Sequence, residues 1–137
     1  MAIKFFKSEK VHREAVHSAK YSHACKVRIE KGGELIIIAG QVPIDNTGNV
    51  VAPGDFEKQT RKVFENLKCQ LEAGGASFKD IIRLGVLLTD QSQWKQFDQI
   101  RSDYLAEPFP VTTGFVVKTL FNPKWMLEIE AMAYIEK

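Results

Sequence analysis

The sequence lacks several features that would assign it to a specialised class of protein. It has two cysteines, Cys25 and Cys69, which lie far apart and form no Cys-x-x-Cys pair. This usage excludes a disulfide framework and argues against a zinc site, so both thiols are expected to be reduced and structural. No apolar run approaches the roughly 18 residues of a membrane helix, and the N-terminus has no signal-peptide core. We therefore expect a cytoplasmic protein.

Charge and histidine content also exclude several functions. The 137 residues carry 19 basic and 17 acidic side chains, for a net charge of +2, and these are spread along the chain. Nucleic-acid binders usually concentrate basic residues, so no nucleic-acid partner is expected. The histidines His12, His17 and His23 include no pair at i,i+4. We therefore expect surface or loop histidines, no metal and no other cofactor.

The most informative stretch present is an aliphatic run that ends in a tight turn. Leu35–Ile38 is followed by Ala39, Gly40 and Gln41, and then by Pro43. Four large aliphatic residues in succession predict a strand buried on both faces. Glycine lets another group approach the backbone closely, and proline ends the strand's ladder. The turn at Gly40 is therefore a candidate ligand site.

Other segments alternate between strand and helix patterns. Asp55 is a predicted N-cap for a helix from Phe56 to Ala73, which Gly74 and Gly75 end. A second amphipathic helix is predicted from Trp94 to Leu105. The remaining predicted strands are Cys25–Glu30, which forms a hairpin with the aliphatic run, and Ile81–Thr89, Val111–Lys118 and Trp125–Ile135.

This order, β-β-α-β-α-β-β, predicts an α+β fold in which one face of a mixed sheet carries both helices. The length fits one domain over residues 1–137, with its core from about 21 to 135. The strands around Leu35 and Ile81 are apolar on both sides, so a single chain would expose a large apolar sheet face. We therefore expect a closed homo-oligomer.

Five segments, in order, resemble the RidA family, also called the YjgF family. The similarity is carried by Tyr21–Ala24, Leu35–Pro43, Gly48–Val51, Gln59–Leu67 and Leu127–Ala133. The resemblance implies a chorismate-mutase-like fold and a homotrimer, with an inner β-barrel and small-molecule clefts between subunits. It also implies hydrolysis of reactive enamines or imines, such as 2-aminoacrylate, to a carbonyl product and ammonia.

The resemblance assigns roles to individual residues. Glu128 corresponds to the residue that positions or activates water, and the expected substrate-binding positions are Tyr21, Ala39, Gly40, Thr112 and Thr113. Archetypal members bind the substrate carboxylate through an arginine in a Pro-x-Arg-Ser segment, where this chain has Thr112. Ala39 replaces a serine and Asp98 an asparagine. Losing the guanidinium costs roughly ten- to a hundredfold in affinity for a carboxylate, unless Arg28, Arg101 or a neighbouring subunit supplies a cation.

Several interpretations stay open at the level of sequence. Glu128 is either a solvated outer residue or a desolvated acid suited to proton transfer, and Tyr21 either packs in a loop or closes over a ligand. The function is then a RidA-like hydrolase without the arginine, or a non-catalytic trimer that binds a metabolite. Ribonuclease or translation inhibition has the least support, because no basic run or aromatic platform is present.

Overall fold

One mixed sheet organises the chain. The computed structural model describes residues 3–12 and 22–137. Within them the elements are β1 (Ile3–Phe6), β2 (Ala24–Ile29), β3 (Gly33–Gln41), α1 (Phe56–Ala73), β4 (Ile81–Leu88), α2 (Trp94–Arg101), β5 (Val111–Val116) and β6 (Leu127–Glu136). The strand order across the sheet is β1-β2-β3-β6-β4-β5. Neighbouring strands are antiparallel except β4 and β5, which are parallel.

The predicted α+β arrangement is confirmed, with differences at some ends. The β2–β3 hairpin forms, and α1 begins and ends where the sequence predicts. Helix α2 stops at Arg101 rather than Leu105, because the carbonyl of Arg101 accepts hydrogen bonds from the amides of Tyr104 and Leu105 in a turn. Strand β1 is an addition that the sequence analysis did not predict.

Both helices pack on the same face of the sheet. The Asp55 carboxylate caps α1 by accepting from the amide of Lys58 at 3.0 Å, and Gly75 adopts a φ of +85° just beyond its end. The predicted apolar stripe of α1 is buried against the sheet. Phe64 of α1 stacks on Phe97 of α2, with ring centroids 6.1 Å apart. This contact joins the two helices.

The opposite face of the sheet, which we call the open face, is not covered within one chain. On β3, Ile36 and Ile38 are fully buried beneath the helices, whereas Leu35 and Ile37 are half-buried on the open face. Large apolar residues of the edge strands, including Phe5, Val111 and Phe115, are exposed on it. The predicted burial of the aliphatic strand on both faces is therefore not achieved by a single chain.

Two expectations from composition concern the positions of the histidines and the lack of a membrane-spanning helix. His23 lies in the loop before β2, which is one of the two expected positions, but it is buried there, with its ring Nδ1 3.3 Å from Nε2 of Gln70. His17 lies outside the described residues. No helix in the part of the chain that the structure describes is long and apolar enough to cross a membrane.

Asn66 fixes the loop that follows β3 onto α1. Its buried side-chain amide donates to the carbonyls of Val42 and Ile44, at 3.0 Å in each case. These two bonds hold the turn that begins at Gly40 against the helix. A side chain without donors at this position would leave two buried carbonyls without their partner.

We expect Asn66→Leu to lower the free energy of unfolding by about 2–4 kcal/mol, because two buried carbonyls lose their donors. Urea denaturation measures the change. Lys68→Ala, at an exposed position of the same helix, is the control and should change stability by less than about 0.5 kcal/mol. Equal stability of Asn66→Leu and the wild type would contradict this role.

Candidate functional site

The carboxyl group of Glu128 lies on the open face, near the start of β6. Residues Leu127, Ile129, Ala131 and Ala133 of β6 are buried on the helix side. Glu128, Glu130, Met132 and Tyr134 alternate with them and lie on the open face. Of the two alternatives left open by the sequence, the half-buried position of Glu128 supports the desolvated carboxyl.

A β-bulge beside Glu128 makes room for its side chain. Ile38 pairs with Ala131 and Gln41 with Ile129, so β3 has two residues, Ala39 and Gly40, where β6 has one. A Cβ at Gly40 would overlap the carboxylate, Cδ and Cγ of Glu128. Bulges of this kind redirect side chains near functional sites. Gly40 therefore leaves space for the acid, and its role in binding substrate stays a prediction.

The surroundings of Glu128 favour its protonated form. Burial raises the pKa of its carboxyl above the ordinary value of 4.5, and the negative charge of Glu130 raises it further. Glu130 is itself paired with Arg83, with Oε1 3.5 Å from Nη1, and lies over Gly85, where a Cβ would overlap it. Two glutamates on this face are thus each accommodated by a glycine.

Glu128 borders a pocket of about 340 Å³ at the edge of the open face. Leu87 of β4, which pairs with Glu128, forms one wall. Val117, Thr119, Leu120 and Phe121, which follow β5, form the rest. A carboxyl group beside mainly apolar walls is a common arrangement for a small-molecule site with one acid–base group. Sequence reasoning missed Leu87 and this segment after β5, because no motif marks them.

Thr112 lies on the other face of the sheet from Glu128. It pairs with the fully buried Leu84 and borders a second pocket, of about 330 Å³, between α2 and β5. Asp98 and Arg101 of α2 border the same pocket. A single chain therefore does not bring Thr112 and Glu128 together, although Thr112 and Arg101 border the same pocket.

The other described residues of the predicted site, Ala39 and Thr113, do not border either of these two pockets. Thr113 is exposed on the open face and pairs with Gly85 of β4. Gly85 in turn pairs with Glu130 of β6, so Thr113 is level with Glu130 across the sheet and not with Glu128. The amide of Ala39 donates to the carbonyl of His23 at 2.7 Å, and its carbonyl accepts from the Gln41 side chain at 3.0 Å. Tyr21 lies outside the described residues.

Comparison with known proteins identifies the family. The family model described as endoribonuclease L-PSP matches residues 12–135. A RutC family protein of Pyrococcus horikoshii is 40% identical over 107 residues, which cover 77% of this chain and 83% of that protein. The 3-aminoacrylate deaminase RutC of Acinetobacter baylyi is 30% identical over 105 residues, covering 77% and 82%.

Solved structures agree with this assignment. RidA from an Antarctic Psychrobacter is 28% identical and superposes with a TM-score of 0.80, covering 96% of this chain and 99% of that one. The YjgF gene product of E. coli is 26% identical, with a TM-score of 0.75 and coverage of 95% and 97%. This chain belongs to the RidA/YjgF family, and it has that family's fold.

We expect Glu128 to titrate above 4.5, because burial and the charge of Glu130 disfavour its ionised form. NMR titration of the side-chain carboxyl carbons measures this directly. Glu130→Gln should move the pKa of Glu128 downward, since it removes a like charge. Glu136→Gln, at an exposed position of the same strand, should leave it unchanged. A wild-type Glu128 that titrates at or below 4.5 would contradict the description of its environment.

The same shift has a consequence for stability. The folded protein binds the Glu128 proton more tightly than the unfolded chain does. Its contribution to stability is therefore present below the unfolded pKa and is lost as pH rises through the raised folded pKa.

Proposed function

We propose that this protein hydrolyses a reactive enamine or imine, or a related small metabolite, to a carbonyl product and ammonia. The observation that carries the proposal is the Glu128 carboxyl, which has a raised pKa, borders a pocket and is accommodated by Gly40. The relative from Acinetobacter baylyi is named a 3-aminoacrylate deaminase, and 3-aminoacrylate is an enamine. The chemistry of the site and the name of the relative agree.

The reaction needs one group that can both accept and donate a proton. An enamine first tautomerises to the imine, taking a proton on carbon and releasing one from nitrogen. In this proposal Glu128 takes one proton from water as its oxygen adds to the carbon of the C=N bond, and passes that proton to the nitrogen to give a carbinolamine. Glu128 then takes the hydroxyl proton of the carbinolamine and gives it to the amino group, so that ammonia leaves as the carbonyl forms. A carboxyl whose pKa is raised by burial suits both steps, because its ionised form is a stronger base than an ordinary carboxylate and regains the proton more readily.

The proposed active unit is a homotrimer, with the open faces lining an inner barrel and the clefts between subunits. The exposed apolar residues of the open face support an assembly, since soluble monomers rarely expose a face of this kind. The separation of Thr112 and Glu128 on opposite faces supports a cleft that two chains complete. The two unpaired cysteines suit the reducing conditions of the cytoplasm, which we propose as its location.

A non-catalytic module that binds a metabolite is the second candidate. It is favoured by the state of Thr112, whose hydroxyl donates to the carbonyl of Pro110 at 3.1 Å and supplies no charge. Such a protein would bind a ligand in the same clefts without turning it over. Ribonuclease activity, which the family's description names, is a third possibility. Salt-sensitive binding of RNA would be its sign.

We expect the protein to accelerate the release of ammonia and keto acid from imines generated in situ by an amino-acid oxidase, and from 2-aminoacrylate generated by a dehydratase. Glu128→Gln should reduce turnover by at least about a hundredfold, since it removes the proton-transfer group. Glu136→Gln is the control. If the wild type gives no acceleration over the spontaneous rate, the hydrolase proposal fails and the binding module replaces it.

Two glycine substitutions test the geometry around the acid. Gly40→Ala should displace the Glu128 carboxylate, which can rotate away at little cost to the fold. We therefore expect a loss of turnover of at least about tenfold with a small change in melting temperature. Gly85→Ala places a methyl group against Glu130 in the same way and should preserve most of the activity. Equal losses in the two variants would show that Glu128 has no special role.

A further inference from the structure

The pocket between α2 and β5, which we call the helix-side pocket, is bordered by a positively charged side chain. Its apolar wall consists of Leu105, Phe109 and Pro110, and its polar groups come from α2, from Ser102 and from Thr112. Its volume of about 330 Å³ is suited to a small metabolite. Among the described residues that border it, Arg101 is the one that carries a positive charge.

The guanidinium of Arg101 is held in place from two sides. It forms an ion pair with the carboxylate of Asp98, one turn earlier on α2, and lies 5.8 Å from the centre of the Phe97 ring. The Phe97 ring is itself fully buried. The side chain of Arg101 remains one third exposed. A planar cation fixed in this way loses little freedom when it binds a carboxylate.

The hydroxyl groups of the pocket offer acceptors rather than donors. Thr112 Oγ1 donates its proton to the carbonyl of Pro110, and Ser102 Oγ donates to the carbonyl of Asp98, each at 3.1 Å. The hydroxyl oxygens keep their lone pairs, and the Asp98 carboxylate adds two further acceptors. The polar groups described here therefore combine one cationic donor with several acceptors.

The segment that forms the floor of the pocket is anchored to α1. Asp103 accepts from Arg61 at 3.0 Å, and the ring of Tyr104 stacks on Phe64 with centroids 4.4 Å apart. Leu105 is buried directly after them. The pocket is therefore largely formed before any ligand enters it, which lowers the entropic cost of binding.

We propose that the helix-side pocket selects ligands that carry a carboxylate next to an N–H group, with Arg101 binding the carboxylate and Asp98 accepting from the N–H. Arg101 then supplies from α2 the charge that Thr112 does not supply from β5. Asp98 makes the pocket prefer an amino or imino acid to a plain carboxylate. This inference rests on the proposed function only where it assigns the pocket to the substrate, since the binding itself requires no turnover.

Binding of three unreactive probes tests the selection. Alanine has both groups, propionate has the carboxylate alone, and alaninamide lacks the carboxylate. Chemical-shift titration of the labelled wild-type protein should give affinities in the order alanine, propionate, alaninamide. Arg101→Gln should lower the affinity for alanine and for propionate by roughly ten- to a hundredfold, or abolish binding, because a charge-assisted pair is lost. Lys68→Gln, which removes an exposed positive charge of α1 that borders neither pocket, is the control.

Two further variants separate a binding role from a structural one. Asp98→Asn should strengthen the binding of propionate, because the carboxylate that competes for Arg101 is gone. It should weaken the binding of alanine, because the acceptor for the N–H group is gone as well. Arg101→Gln combined with Thr112→Arg should recover propionate binding, because both positions border one pocket. Failure of the wild type to bind alanine or propionate, or unchanged binding in Arg101→Gln, would overturn the proposal.

Turnover measurements distinguish this proposal from the proposed function. If Glu128→Gln is inactive while Arg101→Gln has an unchanged KM and unchanged alanine binding, the hydrolase stands and the role of Arg101 is wrong. If the probes bind as expected but no imine or enamine is hydrolysed, the pocket stands and the hydrolase is wrong.

Discussion

The candidate site depends on the close packing of the Glu128 carboxyl against Gly40, where any side chain would overlap it. A charged side chain that is half-buried on a largely apolar sheet face is costly unless it has room, partners or a proton. The bulge at Ala39 and Gly40 supplies the room, and the raised pKa of Glu128 means that the proton is retained more readily. The neighbouring Glu130 meets the same constraint differently, through Gly85 beneath it and Arg83 beside it.

In the proposed assembly, each chain contributes two separate parts of a shared site. The sheet separates the Glu128 pocket on the open face from the helix-side pocket around Arg101 and Thr112. The Glu128 pocket has an acid suited to proton transfer and few other polar groups, whereas the helix-side pocket has the charged groups of Arg101 and Asp98, which could bind a charged ligand. The proposed assembly would remove the apolar open face from water, and it requires the helix-side pocket of one chain to lie beside Glu128 of the next. Stability and function then have the same requirement.

Local signals explain which parts could be predicted from sequence. Helix α1 was predicted to the residue because Asp55 and the glycine pair mark its ends. The regular alternation of β6 predicted a strand from Trp125 to Ile135, and the observed strand is Leu127–Glu136. Strand β1 was missed because four residues give too short a pattern. The pairing of glycines with glutamates depends on register between distant strands. The meeting of Arg101 with Thr112 depends on how α2 packs beside β5, which no local pattern encodes.

Mixing two defective chains tests most directly whether the site is shared between subunits. Glu128→Gln and Arg101→Gln chains are unfolded and refolded together in equal amounts, and turnover is compared with that of each variant alone. In a closed ring, about a quarter of the clefts then join an intact Glu128 to an intact Arg101 from the neighbouring chain. We expect turnover to recover to about a quarter of the wild-type rate. Turnover no higher than the average of the two variants would contradict a cleft built from two chains.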